Sequence, residues 1–197
     1  TTSLTNMKIC FKTKRNTEEI SIDQGENILF AGLKAGLTLP HECASGTCGT
    51  CQGQLLTEDS LIDNWKDAPG KKHIPEDTNR ILMCQSSCRQ DTNIRVFGPL
   101  KKQNNDYPRP NYFDANMISS IRENDEVISF KLKLSKDFSF IAGQFIMLQP
   151  NTLSGWRAYS ICNTKLSSDE IELVLKKTPN GGSVSYTHLT LPTKDSV

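Results

Sequence analysis

The chain has 197 residues, 36% hydrophobic and 23% charged, which gives it enough apolar side chains for a core and too few charges for a disordered polyelectrolyte. Its 23 basic and 22 acidic side chains leave a formal net charge of +1, without the basic excess of a nucleic-acid binder or the acidic excess of a solvating tail. The longest unbroken apolar stretch, residues 28–33 with Gly32 counted, is six residues long, whereas a membrane-spanning helix needs about 20. Residues 1–12 (TTSLTNMKICFK) lack the apolar core of a secretory signal. A cytoplasmic protein with no nucleic-acid or membrane partner is expected, and the length suits one large or two small domains.

The elements follow in chain order. Residues 8–14 (KICFKTK) alternate apolar and charged side chains, as a half-buried strand does. Asn16 and Thr17 turn the chain, and residues 19–23 (EISID) alternate again, so the opening reads as a hairpin. Residues 26–35 (ENILFAGLKA) change period, with Ile28, Leu29, Ala31 and Leu33 on one helical face and Gly36 as the stop. A cysteine-rich loop comes next, then a polar stretch over 57–79, then short strands over 80–84 and 93–97. Residues 98–111 (GPLKKQNNDYPRPN) interrupt every period and mark a linker. Beyond it, residues 127–134 (VISFKLKL) alternate strongly, with further strands expected over 145–149 and 170–176. This half reads as all-β, and a small barrel is the natural way to protect so many strand edges.

Seven cysteines are present: Cys10, Cys43, Cys48, Cys51, Cys84, Cys88 and Cys162. The odd number and the absence of an export signal argue against a disulfide scaffold. Cys43-Ala-Ser-Gly-Thr-Cys48-Gly-Thr-Cys51 has C-x4-C-x2-C spacing, and Cys84 follows after 32 residues. An iron–sulfur cluster needs four thiolates converging on a compact inorganic core. Gly46 and Gly49 let one loop curl around it, because they accept positive φ. The small Ala44, Ser45, Thr47 and Thr50 let backbone N–H groups approach the sulfurs. Zinc sites favour paired C-x2-C knuckles, and only one such pair exists. A Rieske centre needs two histidines beside two cysteines, and neither His41 nor His73 is so placed. Cys10 and Cys162 read as small core residues. Cys88, four residues after Cys84, competes for the fourth position.

The spacing is the plant-type [2Fe–2S] pattern, and residues 7–97 resemble a plant-type ferredoxin domain. The resemblance implies a β-grasp fold and cluster ligands Cys43, Cys48, Cys51 and Cys84. The context LMCQ, after an apolar strand, favours Cys84 over Cys88.

A second motif is Arg157-Ala158-Tyr159-Ser160. Ala142-Gly143-Gln144-Phe145 precedes it, and Gly181-Gly182 follows a strand ending in two lysines. That order resembles the FAD-binding barrel of the ferredoxin–NADP reductase superfamily, with Ala142 in place of the usual Pro. The resemblance implies FAD over residues 112–183. Arg157 would supply a charged fork for a flavin phosphate, Tyr159 a ring to stack on the isoalloxazine and Ser160 a hydrogen bond near the reactive nitrogen. Ala158 completes the motif, and Gly181 and Gly182 would open backbone N–H groups to the pyrophosphate.

The fold expected is therefore α+β: a β-grasp ferredoxin domain followed by an incomplete all-β FAD-binding barrel. The order resembles the reductase components of multicomponent oxygenases that hydroxylate aromatic compounds. It implies an enzyme passing electrons from NAD(P)H through FAD and a [2Fe–2S] cluster to an oxygenase component or other electron acceptor. A reductase of deoxysugar dehydration has the same order, and a stand-alone ferredoxin with an unrelated β-domain is the non-enzyme alternative. After Gly182 only 15 residues remain, with no βαβ pattern, so a nicotinamide-binding domain is not expected within the chain. Met7 fits a true initiator. Residues 184–193 (VSYTHLTLPT) resemble a reading-frame translation of the transposon adapter used in sequencing libraries, so 184–197 are expected to be a non-native tail.

Overall fold

The computed structural model describes residues 6–104, 109–149, 154–163 and 167–176. Contacts divide the chain into two compact units, meeting at Pro110 and Asn111.

In the first unit, β1 (Asn6–Lys12) and β2 (Thr17–Asp23) form the antiparallel hairpin. Alternation in β1 buries Met7, Ile9 and Phe11 and leaves Lys8 in solvent, each large apolar side chain contributing about 1.5–3 kcal/mol on burial. Strand β1 also pairs in parallel with β7 (Thr92–Val96). Strand β3 (Gln52–Leu55) joins β7 to β5 (Arg80–Leu82), both antiparallel. The sheet order is β2-β1-β7-β3-β5. A small second sheet pairs β4 (Leu61–Asp63) with β6 (Ser86–Cys88).

Helix α1 (Ile28–Lys34) covers the sheet. The side chain of Asn27 caps it by accepting from Phe30 N–H, and Ile28 through Gly32 are buried. A Cβ on Gly32 would meet the Leu39 side chain at 2.3 Å and Phe11 of β1 at an ordinary 3.5 Å, so the small residue makes room for Leu39 against the helix. Gly36, at φ +82°, ends the helix: its N–H donates to Leu33 O, and Leu37 N–H donates to Gly32 O. Residues 98–103, read as the start of a linker, are anchored to this unit. Leu100 is buried, Asn16 Nδ2 donates to Leu100 O, and Thr38 exchanges hydrogen bonds with Lys101.

The second unit has a three-stranded antiparallel sheet in the order β12-β9-β8, from β8 (Ala115–Arg122), β9 (Val127–Ser139) and β12 (Ser167–Lys176). Ile128, Phe130, Leu132 and Leu134 of β9 and Ile171, Leu173 and Leu175 of β12 line its buried face. The opposite face carries ion pairs such as Lys131–Glu172 at 3.0 Å, which as surface pairs add little stability. Strand β10 (Phe145–Leu148) pairs with β11 (Arg157–Ser160) as a separate two-stranded sheet. Among the described residues these two sheets do not close into a barrel. No helix among the described residues is long and apolar enough to cross a membrane.

Candidate functional site

The cysteine loop is built by three residues with positive φ: Ala44 at +50°, Gly46 at +75° and Gly49 at +78°. Reversals of this kind turn successive N–H groups toward one concave side, a geometry that attracts anions. The anion here is sulfur. Cys43 Sγ accepts from the N–H groups of Ser45 (3.4 Å), Thr47 (3.4 Å) and Cys48 (3.3 Å), and Cys48 Sγ accepts from Thr50 N–H at 3.4 Å. Burial pushes the Cys43 thiol up, yet the hydrogen bonds from Cys48, Ser45 and Thr47 outweigh it and hold the group down at about 6.

The remaining two cysteines are brought together by strand pairing. Gln52 of β3 lies opposite Leu82 of β5, and Met83 N–H donates to Cys51 O at 3.0 Å. This register places Cys51 Sγ and Cys84 Sγ in contact at 3.2 Å, both buried. Their shared hydrogen bond lowers the Cys51 thiol and raises that of Cys84, which burial raises further. Gly46 N–H faces Cys84 Sγ as well. Asn27 Nδ2 donates to Cys84 O at 2.6 Å, tying the helix cap to this residue.

Among the described residues, no three His, Cys, Asp or Glu side chains converge on a single ion position. A two-iron cluster takes two thiolates on each iron, so its donors come as pairs, and Cys51 with Cys84 is one such pair. Four free thiols, three of them on a loop whose N–H groups already donate to sulfur, suit a [2Fe–2S] cluster in donor chemistry.

The other cysteines lie apart from this arrangement. Cys88 is fully buried in β6 opposite Leu61, and burial raises its thiol. Cys10 sits half-buried in β1. Cys162, expected in the core, is exposed; β11 has ended at Ser160, and Cys162 is held at the sheet by its backbone N–H, which donates to Glu172 O, and by its Sγ, which donates to Ser160 O. His41 Nδ1 bonds Leu39 O, a loop contact of its own.

In the second unit the Arg157–Ser160 motif forms all of β11. Arg157 lies opposite Leu148, Ala158 opposite Met147, Tyr159 opposite Ile146 and Ser160 opposite Phe145. Arg157 and Tyr159 therefore share one face of the strand, and Ala158 and Ser160 the other. Tyr159 is half-buried against the core of this unit, and Ser160 is exposed. The Ala142–Gln144 segment turns the chain into β10, with Gly143 at φ +93° and Gln144 N–H donating to Ile141 O. Gly181, Gly182 and residues 184–197 lie outside the described residues.

Sequence reasoning missed Asn27 and also Gly70, whose N–H donates to Gly46 O within the cysteine loop. Asn27 carries a readable signal, an amide residue directly before an apolar helical run. Gly70 sits in a Pro-Gly-Lys-Lys stretch that reads as an ordinary polar loop.

Comparison with known proteins matches residues 11–89 to the 2Fe-2S iron-sulfur cluster binding domain and residues 114–197 to the oxidoreductase FAD-binding domain. The chain is a ferredoxin-type domain followed by an FAD-binding domain. Its cofactors are accordingly a [2Fe–2S] cluster and FAD. Among similar curated proteins, the phenol hydroxylase P5 protein of Acinetobacter pittii is 27% identical over 90% of this chain and 50% of its own length. A ferredoxin–NAD(P)+ reductase of Metapseudomonas resinovorans is 32% identical over 80% of this chain and 47% of its own. The solved ferredoxin reductase in carbazole 1,9a-dioxygenase superposes with a TM-score of 0.73 at 27% identity, covering 95% of this chain and 59% of that one. The chain spans about half the length of the curated relatives it matches.

Proposed function

We propose that this ferredoxin-type and FAD-binding chain is the electron-transferring part of a reductase that carries electrons from NAD(P)H to an oxygenase component or similar acceptor. The observation that carries the reading is the loop over Cys43–Cys51, whose N–H groups donate to Cys43 and Cys48 while β3 and β5 press Cys51 against Cys84. In this reading Cys43 and Cys48 hold one iron and Cys51 and Cys84 the other. The loop N–H groups stabilise negative charge on sulfur, and burial of Cys51 and Cys84 keeps water from that side.

On the second unit, Arg157 binds a flavin phosphate, Tyr159 covers the isoalloxazine, and Ser160, beside Ala158, hydrogen-bonds the ring edge. Gly181 and Gly182 complete the phosphate contacts. The first unit is read as a β-grasp over 7–97, and the second as the wall of a barrel over 112–183. Bound flavin accepts electron pairs as hydride and a [2Fe–2S] cluster carries single electrons, so the pairing converts one currency into the other. The similarity to the solved ferredoxin reductase in carbazole 1,9a-dioxygenase supports this place in the flow, and the reading sets the protein in the cytoplasm with NAD(P)H at hand.

Cofactor stoichiometry tests it. Protein purified and reconstituted without oxygen should contain two iron, two acid-labile sulfide and one FAD per chain. A single zinc ion in place of iron and sulfide, with no flavin, would overturn the reading.

A further inference from the structure

The stretch between the third and fourth cysteines contains a short 3-10 turn, Pro69–His73, that lies directly on the cysteine loop. Gly70 N–H donates to Gly46 O at 2.7 Å. A Cβ on Gly70 would meet Gly46 O at 2.9 Å, Gly49 N at 3.0 Å and Gly46 C at 3.2 Å. All three are backbone atoms that cannot swing aside, so no other residue fits without displacing the turn. The His73 side chain lies against Gly49, within 3.0 Å of where a Cβ would stand. Gln52 Nε2 donates to His73 O at 3.2 Å and pins the far end of the turn.

The Gly46 carbonyl that accepts from Gly70 belongs to the same peptide group as Thr47 N–H, which donates to Cys43 Sγ. A hydrogen bond to a peptide oxygen polarises that peptide and strengthens donation from its N–H. The chain Gly70 N–H to Gly46 O, then Thr47 N–H to Cys43 Sγ, therefore ends on sulfur. Hydrogen bonds to cluster sulfurs stabilise the more negative, reduced form and raise the potential.

We propose that Gly70 is a positioning residue for the cluster, and that the Pro69–His73 turn acts as an outer clasp that holds the Gly46–Thr47 peptide toward Cys43 and so raises the reduction potential. The inference rests on the reading of Cys43, Cys48, Cys51 and Cys84 as cluster ligands. The geometry gives the clasp two attachment points on the loop, Gly46 and Gly49, so it fixes the orientation of the loop as well as its distance.

The test is a redox titration of the whole chain, reconstituted with iron and sulfide, comparing wild type with Gly70→Ala and His73→Ala and following cluster absorption and the electron paramagnetic resonance of the reduced state. Gly70→Ala should lower the reduced-to-oxidised ratio at a fixed potential on the order of tenfold, about 59 mV for one electron, and shift the resonance. His73→Ala, which adds no atom to the crowded contact, should shift both in the same direction by less. If Gly70→Ala folds but retains no cluster, a lowered potential in His73→Ala still supports the clasp. A wild-type chain that binds iron, with both variants at its potential, overturns the clasp alone. A wild-type chain that binds no iron overturns the ligand assignment, and the clasp falls with it.

Discussion

Asn27 and Cys84 are joined at 2.6 Å, the side-chain amide of the helix cap donating to the cysteine's carbonyl oxygen, with both residues buried. The same side chain accepts from Phe30 N–H. One residue therefore starts helix α1 and fixes the backbone of the fourth cysteine, 57 positions away.

Asn27→Ala should destabilise the first unit by about 2–4 kcal/mol, combining a lost cap of about 1 kcal/mol with a buried carbonyl left unsatisfied at about 1–3 kcal/mol. The melting temperature should fall by roughly 10–20 °C. Asn27→Ser keeps a capping oxygen and loses the donor to Cys84, so it should recover only about 1 kcal/mol of that loss. Thermal unfolding followed by circular dichroism measures both, and a variant as stable as wild type would show that the bond contributes nothing.

Replacing Cys51 by Ser should abolish visible cluster absorption or leave it severely labile, because Ser cannot supply the thiolate that faces Cys84. Cys88→Ser should leave the spectrum nearly unchanged, since Cys88 is buried in β6 opposite Leu61. Equal loss in the two variants would move the ligand assignment.

In the iron-free chain, Cys43 should react with iodoacetamide with a pH midpoint near 6, where its hydrogen bonds from Cys48, Ser45 and Thr47 hold it. Cys88, raised by burial, should react only above the ordinary thiol range of about 9. The folded value for Cys43 is depressed, so its contribution to apo stability is full above the unfolded value of 9.0 and is lost as pH falls through about 6. Peptide mapping of the alkylated sites against pH reads the order directly; Cys88 reacting before Cys43 would refute it.

Arg157→Ala should weaken FAD binding by about 1.5–3 kcal/mol, the loss of one charge-assisted contact, or roughly ten- to hundredfold in affinity. Flavin should separate on gel filtration while iron and sulfide stay. Flavin retained at wild-type affinity would place the phosphate elsewhere.

The parts of the structure legible in sequence are those with a full period or a fixed spacing. Alternation over residues 8–14 and 127–134 marked β1 and β9, because each has one buried and one solvated face. The Cys43–Cys51 loop was legible because its chemistry restricts spacing and residue size together, and Gly46 and Gly49 take the positive φ expected of them. Strands β4 and β6 have three residues each, too few to show a period. Strand β8 was hidden by the bulge between Met117 and Ser119, which breaks its alternation, and by the exposure of its second half. Gly70 was invisible for a different reason. Its requirement is a backbone contact with Gly46 across a 24-residue separation, and only the folded chain creates it.

The most direct test of the two-cofactor account is an electron count. Anaerobic titration of the reconstituted chain with dithionite, followed by absorption, should consume three electrons per chain, two for FAD and one for the [2Fe–2S] cluster. In Cys51→Ser the count should fall to two with the flavin spectrum intact. A wild-type count of one or two, or a Cys51→Ser protein that still takes up three, would contradict it.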